Sequence, residues 1–335
     1  MENPPILKNL AIIGGGSWGT ALAIVLAPRF ERVRLWVYES DLTERMRASR
    51  INDVYLPGFS LPANVEPHND LAAAVAGAEI VLGVMPSHLA RSVYQQLAPH
   101  LTPDMHLVSA TKGLEQGTLM RISEVMAAVL GHPRVAVISG PTFAREVARG
   151  DPTALVVASA YPELARIIQN VFSGPTFRLY SSSDPVGVEI GGAVKNVVAI
   201  GAGVCHGLGL GHNATAALIT RGLAEIGRLA LAMGGQPKTL AGLAGLGDLV
   251  LTCTGDLSRN RMVGMELSKG RKLDEIVNSM KMVAEGIKTT AATADLARHY
   301  AVEMPIAEQM LAMLHHGRSP KDAIRHLMER SLKEE

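Results

Sequence analysis

Three glycines near the start of the chain, Gly14, Gly16 and Gly19, follow the apolar run Leu10–Ile13 and precede the helical stretch Thr20–Ala27. A GxGxxG between a strand and a helix restricts the local fold to a tight βα turn. Gly14 permits the turn, Gly16 lets backbone approach a pyrophosphate, and Gly19 lets helix and strand pack closely. Phosphate oxygens would meet the free N–H groups at the helix N-terminus. A second predicted strand, Val33–Tyr38, leads into Glu39. An acid about 20 residues beyond the glycines binds the adenine ribose of NAD, whereas an arginine there accommodates the NADP phosphate. Glu39 is the acid candidate; Arg34 and Arg45 are near in sequence, and no arginine stands at 37–41. The choice between NAD and NADP stays open.

Further apolar runs predict strands at Ile80–Met85, Met105–Ala110, Val135–Ser139 and Ala154–Ser159, with helices such as Thr118–Leu130 and Pro162–Val171 between them. Strands alternating with helices predict βαβ units on a mostly parallel sheet covered on both faces. The pattern changes after Phe177–Tyr180. Asp184 reads as an N-cap with Pro185 at the first helical position. Beyond it only helical periodicity follows, over 185–203, 212–233, 258–269, 273–279, 286–299, 305–315 and 319–330. The fold class is therefore α/β, a Rossmann-like domain (1–183) followed by an all-helical substrate and catalytic domain (184–335).

Apolar residues form 47% of the 335 and aromatics only 4%, so aliphatic side chains must fill the cores. With 32 basic and 31 acidic residues the net charge is +1, which argues against a nucleic-acid or acidic-membrane surface. Cys205 and Cys253 lack metal-ligand spacing, and MENPPILKNL lacks the features of a secretion signal. The expected location is the cytoplasm. The Ala- and Met-rich helical half suggests a homodimer.

Within Ile190–Thr220 the one formal charge is Lys195, placed among Val194, Val197, Val198 and Ile200. Seven glycines and several polar side chains in that stretch argue for a buried helix with a Gly-rich loop over a membrane span. Burial of an ammonium lowers its pKa toward neutrality, where it can exchange protons. A lysine that snorkels to the surface or sits in a structural ion pair is the ordinary alternative. Lys112, in SATKGLE, and Gly140 and Thr142, in SGPTFA, each follow a strand at the sheet's carboxyl edge, where ligands bind in such folds. GLGDL places Asp248 after a Gly-rich turn. Ser258, Arg259 and Asn260 follow, and a guanidinium there can fork onto phosphate oxygens; the alternative is a helix start capped by Ser258 with its arginines in water. His206 and His212 lie in the Gly-rich loop and read as structural.

The blocks GGGSWGTALA, NDVYLPG, SATKGLE, SGPTFAREVARGDPTA, EIGGAVKNVVAIGAG, GLAGLGDLVLTCTGDLSRN and VAEGIKTT, spread over residues 14 to 290, resemble the bacterial NAD(P)-dependent glycerol-3-phosphate dehydrogenase family. The resemblance implies reversible reduction of dihydroxyacetone phosphate to sn-glycerol 3-phosphate, supplying phospholipid synthesis. It implies Lys195 as the proton acceptor for the substrate hydroxyl; on physical grounds Lys112 would stabilise the developing charge and lower the Lys195 pKa, and Asp248 would orient the ammonium. Substrate contacts would come from Lys112, Gly140, Thr142, Lys195, Asp248, Ser258, Arg259 and Asn260. The NAD or NADP lining would comprise Gly14, Gly16, Ser17, Trp18, Gly19, Tyr38, Lys112, Ala144, Arg259, Val283 and Glu285. One departure stands out: many members carry Arg or His after the second strand, where this chain has Val37-Tyr38-Glu39. A hydroxyacid dehydrogenase of related architecture would not share GLGDL followed by SRN. A non-catalytic NAD(H) sensor would not need Lys195.

Overall fold

The computed structural model describes residues 7–335 except 133, 281, 283, 333 and 335. Val283, expected at the cofactor, lies outside the described residues. Eight strands form one sheet: β1 (Asn9–Ile13), β2 (Arg32–Trp36), β3 (Val65–His68), β4 (Ile80–Gly83), β5 (His106–Ser109), β6 (Val135–Ser139), β7 (Thr153–Ala158) and β8 (Phe177–Ser182). Their order is β3-β2-β1-β4-β5-β6-β7-β8, and every pair is parallel except β6–β7. Helices α1 (Ser17–Leu26), α2 (Ser40–Ser49), α3 (Leu71–Val75), α4 (Ala90–Leu97), α5 (Ile122–Leu130), α6 (Ala144–Arg149) and α7 (Pro162–Phe172) connect the strands.

Strand β1 shows how the sheet is covered on both faces. Leu10 and Ile12 enter a core with Leu22 of α1, Met46 of α2 and Ile168 of α7. Their neighbours Ala11 and Ile13 enter a second core with Val75 of α3, Tyr94 of α4 and Met126 of α5. The period of two along a strand sends consecutive side chains to opposite faces, so an uninterrupted apolar run is required.

Several predicted strands end early. The ladder stops at Trp36, Gly83 and Ser109, where Tyr38, Met85 and Ala110 had been expected to continue it. At the carboxyl edge the chain leaves its pairing partners and turns into loops. Strand β3 (VEPH), with its proline and charged residue at an edge position, carried no apolar run to reveal it. The helix expected from Thr118 starts at Ile122, because Leu114 and Arg121 pair first and Leu119 adopts φ +62°.

The second half is helical: α8 (Pro185–Gly207), α9 (His212–Ala232), α10 (Pro237–Leu240), a π-helical turn (Leu243–Gly247), α11 (Asp248–Thr254), α12 (Arg259–Ser268), α13 (Leu273–Ser279), α14 (Glu285–His299), α15 (Pro305–His315) and α16 (Pro320–Met328). Asp184 caps α8 as expected, accepting from the Gly187 N–H at 2.9 Å. It also accepts from the Gln236 N–H and the Thr239 hydroxyl, which fastens the segment after α9 to the start of α8. Helix α8 is the axis of this half. By length and composition it could cross a membrane, yet its apolar window is wholly buried inside the fold. Helix α12 lies directly on it. A Cβ on Gly264 would stand 1.9 Å from the Ile200 carbonyl oxygen, and one on Gly203 would stand 1.9 Å from the Arg261 oxygen. Only paired glycines allow that approach, and it sets the start of α12 against the middle of α8.

Candidate active site

The glycine turn has the shape its sequence demands. Gly14 adopts φ +130°, and a Cβ there would meet the Val84 carbonyl oxygen at 2.2 Å. A Cβ on Gly19 would strike the Gly14 oxygen, whereas the space before Gly16 is open for 4 Å. Helix α1 begins with no side-chain cap and no acid in its first turn, so its leading N–H groups face that space without an acceptor. The Trp18 indole N–H is buried without a partner. Orphan donors, helix polarity and an open cradle fit a pyrophosphate. Asn52, missed as an individual residue inside the NDVYLPG block, holds the turn: its amide donates to the Gly15 carbonyl and the Thr20 hydroxyl, both at 2.8 Å.

The same edge of the sheet carries the charged cluster. The Lys112 ammonium, in the loop after β5, donates to the Gly140 carbonyl at 2.9 Å, the Thr142 hydroxyl at 3.1 Å and Asp248 Oδ2 at 2.8 Å. Asp248, fully buried where the π-helical turn meets α11, accepts from Lys195 through Oδ1. Lys195 also donates to the Thr252 hydroxyl at 3.0 Å, and that hydroxyl donates to the Asp248 carbonyl at 2.6 Å. Thr252 was not singled out from sequence. Its signal was one helical turn after Asp248 on the same face, which becomes visible only once α11 is known to be a helix.

An ammonium has three hydrogens. Lys112 directs all three at protein acceptors. The two acceptors of Lys195 leave one N–H for a substrate oxygen. Burial is the main force lowering the Lys195 pKa, to about 7; Asp248 opposes it and the Lys112 charge adds to it. The snorkelling alternative is excluded, since Lys195 is 5% exposed.

Beside this cluster Ser258 caps α12, accepting from the Arg261 N–H at 3.2 Å. Arg259 is largely buried, which pulls its pKa down, while Glu285 supports its charge. Asn260 is committed more deeply to the scaffold than expected. Its amide donates to Asn196 Oδ1 and its Oδ1 accepts from the Gly286 N–H, both at 2.9 Å, joining α8, α12 and α14. One amide hydrogen remains for a ligand. Glu285, at the start of α14, accepts from the Ser87 hydroxyl at 2.8 Å, and burial raises its pKa. Ser87 in turn lies against Gly113, next to Lys112; Gly14 lies against Val84, and the following Met85 N–H donates to the Thr111 hydroxyl at 3.2 Å, so the glycine turn and the lysine cluster share one continuous edge. Ala144 opens α6 just beyond Thr142. Tyr38 stands 77% exposed past the end of β2. His206 and His212 are exposed and outside the cluster.

A two-lysine, one-aspartate cluster, with Lys195 and Asp248 buried and Lys112 half-buried, beside a cradle that fits a pyrophosphate suits chemistry at a carbonyl. The profile described as NAD-dependent glycerol-3-phosphate dehydrogenase N-terminus matches residues 9–165, and the corresponding C-terminus profile matches 184–325. The chain belongs to the NAD-dependent glycerol-3-phosphate dehydrogenase family. The glycerol-3-phosphate dehydrogenase (NAD(P)+) of Koribacter versatilis is 58% identical over 329 residues, 97% of this chain and 98% of that one. That of Syntrophotalea carbinolica is 54% identical, covering 98% and 99%. The crystal structure of glycerol-3-phosphate dehydrogenase from Coxiella burnetii superimposes with a TM-score of 0.94 at 43% identity, over 97% of this chain and 100% of that one. This dehydrogenase is therefore an NAD(P)-dependent oxidoreductase with the Rossmann-plus-helical architecture expected from its sequence, and the sensor and hydroxyacid dehydrogenase readings fall away.

Proposed function

We propose that the dehydrogenase interconverts dihydroxyacetone phosphate and sn-glycerol 3-phosphate with Lys195 as its acid/base. The observation that carries the assignment is the buried Lys195 ammonium, held on two sides and open on the third, with a pKa near neutrality. The Gly14–Gly19 turn, with Ser17, Trp18, Tyr38, Ala144 and Glu285, would hold the nicotinamide dinucleotide, which would supply a hydride in its reduced form and accept one in its oxidised form. In the reducing direction Lys195 Nζ gives its free proton to the ketone oxygen as negative charge gathers there. Asp248 and Thr252 aim that ammonium, and the Lys112 charge stabilises the developing oxyanion from nearby. In the reverse direction the neutral Lys195 amine takes the hydroxyl proton. Arg259, with Ser258 and Asn260, holds the phosphate, so binding energy remote from the carbonyl orients it.

Residues 1–183 then form the dinucleotide unit and 184–335 the substrate unit. The enzyme would work in the cytoplasm as a homodimer, feeding glycerol 3-phosphate to phospholipid synthesis. The decisive assay mixes the purified protein with dihydroxyacetone phosphate and follows oxidation of NADH and NADPH separately. Oxidation of at least one is expected; silence with both would overturn the assignment.

A further inference from the structure

The segment after β2 is built around a carboxylate. Tyr55 donates its hydroxyl hydrogen to Glu39 Oε1 at 2.7 Å, which leaves Oε2 open. The backbone that carries Glu39 is fixed as well. The Asn69 amide donates to the Val37 and Tyr38 carbonyls at 2.9 and 2.7 Å, and the Trp36 indole donates to the Asn69 carbonyl at 2.9 Å. Tyr38 presents an exposed ring, edge-on to Trp36 with centroids 6.2 Å apart.

The neighbouring cations are all engaged elsewhere. Arg34 donates to the Ala76 carbonyl and faces Glu66. Arg45 pairs with Asp41 at 2.7 Å and Asp53 at 3.1 Å. Arg47 donates to the Pro67 carbonyl at 2.8 Å and Arg50 to the Val65 carbonyl at 2.9 Å. No lysine occurs between residues 30 and 60.

We infer that Glu39, positioned by Tyr55, makes this dehydrogenase select NADH over NADPH. The inference rests on the dinucleotide lying across the Gly14–Gly19 turn, which brings its adenine ribose to the end of β2. A ribose diol donates hydrogens that a free carboxylate oxygen accepts. A 2′-phosphate has only acceptor oxygens and adds a charge of about −1.5 to −2, which Glu39 repels and no nearby arginine neutralises. Tyr55 does more than fill space. Its hydroxyl pKa is pushed up to about 12, first by the bond to Glu39 and then by burial, so it keeps its hydrogen and holds one carboxylate oxygen in place.

The test is a direct titration of each reduced cofactor without substrate, read by nicotinamide fluorescence. Wild-type protein should bind NADH at least about tenfold more tightly than NADPH, since like-charge apposition is strongly unfavourable. Glu39→Gln should bring the two dissociation constants within about threefold by removing the repulsion. Tyr55→Phe, which touches neither the substrate cluster nor the glycine turn, should weaken NADH while leaving the Michaelis constant for dihydroxyacetone phosphate unchanged. Equal binding of both cofactors by the wild type, or an unaltered ratio in Glu39→Gln, would overturn the inference. Gly16→Val, which fills the open cradle, should weaken both cofactors alike; if it weakened neither, the placement across the turn would fail and the inference with it.

Discussion

Lys195 shows how far one residue's chemistry is set by its surroundings. In water its ammonium would hold its proton near pH 10.5; buried in α8 beside Lys112 it titrates near 7. With Lys195 as the proposed acid/base, reduction would need the protonated form and oxidation the neutral form. The reductive rate should therefore be full below about pH 7 and fall as pH rises through that value, while glycerol 3-phosphate oxidation should climb through the same window. Parallel pH profiles in the two directions would exclude Lys195 as the titrating group. Lys195→Ala should lower kcat about 10²- to 10⁴-fold with its circular dichroism unchanged. Arg259→Ala tests the other end of the substrate. Loss of a charge-assisted phosphate contact, about 1.5–3 kcal/mol, should raise the Michaelis constant for dihydroxyacetone phosphate roughly 10- to 150-fold with a smaller effect on kcat. An unchanged constant would remove Arg259 from the phosphate site.

At the scale of elements, the α8–α12 pair holds the proposed acid/base and the proposed phosphate-holding residues in register. Lys195 and Asn196 lie on α8, and Arg259 and Asn260 start α12. The bond between the two asparagines measures 2.9 Å. Contact of helix backbones depends on Gly203 and Gly264, so it is intolerant of added volume. Gly264→Ala places a methyl against the Ile200 carbonyl and should force the helices apart, at a cost of about 1–3 kcal/mol. For a unit the size of the helical half that is a fall in melting temperature of about 2–4 °C per kcal/mol, measured by calorimetry. The Michaelis constant for the phosphorylated substrate should rise with it. A variant as stable and as active as wild type would show that the contact is looser than its geometry. The periodicity of 185–203 and 258–269 was enough to predict both helices, and the 273–279 and 305–315 predictions coincide with α13 and α15. Helices α2, α4, α6 and α11 went unread. Each is only 6–10 residues long, so few turns of helical period are available, although α13, at 7 residues, was read; length alone does not separate the two outcomes.

On the scale of the molecule, the two halves are tied by an ion pair the sequence did not reveal. Arg121, before α5, donates to Glu189 Oε2 of α8 at 2.6 Å, and the Ser123 N–H and hydroxyl donate to the same carboxylate at 2.9 and 2.6 Å. Glu189 is buried, so its carboxylate depends on these donors. Glu189→Ala would leave the Arg121 charge facing only Glu124 and should destabilise the protein by about 3–5 kcal/mol. Calorimetry would detect this as a lowered melting temperature; no change would mean that the remaining contacts between the halves, the Lys112–Asp248 pair and the Ser87–Glu285 bond among them, suffice without it.

Local rules determined much of this protein from sequence alone. A glycine turn between strand and helix, apolar runs long enough for two-faced burial and a capped helix entry at Asp184 are short-range features, readable within a dozen residues. They set the fold class and the glycine turn, and they marked Lys195 as a lone charge in an apolar helix. Folding decided what those residues meet. Lys112, Lys195 and Asp248 are 83 and 53 residues apart in turn, and neither spacing predicts that one carboxylate accepts from both ammonium groups. The same holds for Thr252 behind Lys195 and for Tyr55 on Glu39. Electrostatic and hydrogen-bond partners are chosen by distance in space, which depends on how strands order in the sheet and how closely helices pack. The sequence marks the lysine as unusual; the tertiary structure supplies the carboxylate, the second charge and the dry surroundings that bring its pKa to neutrality.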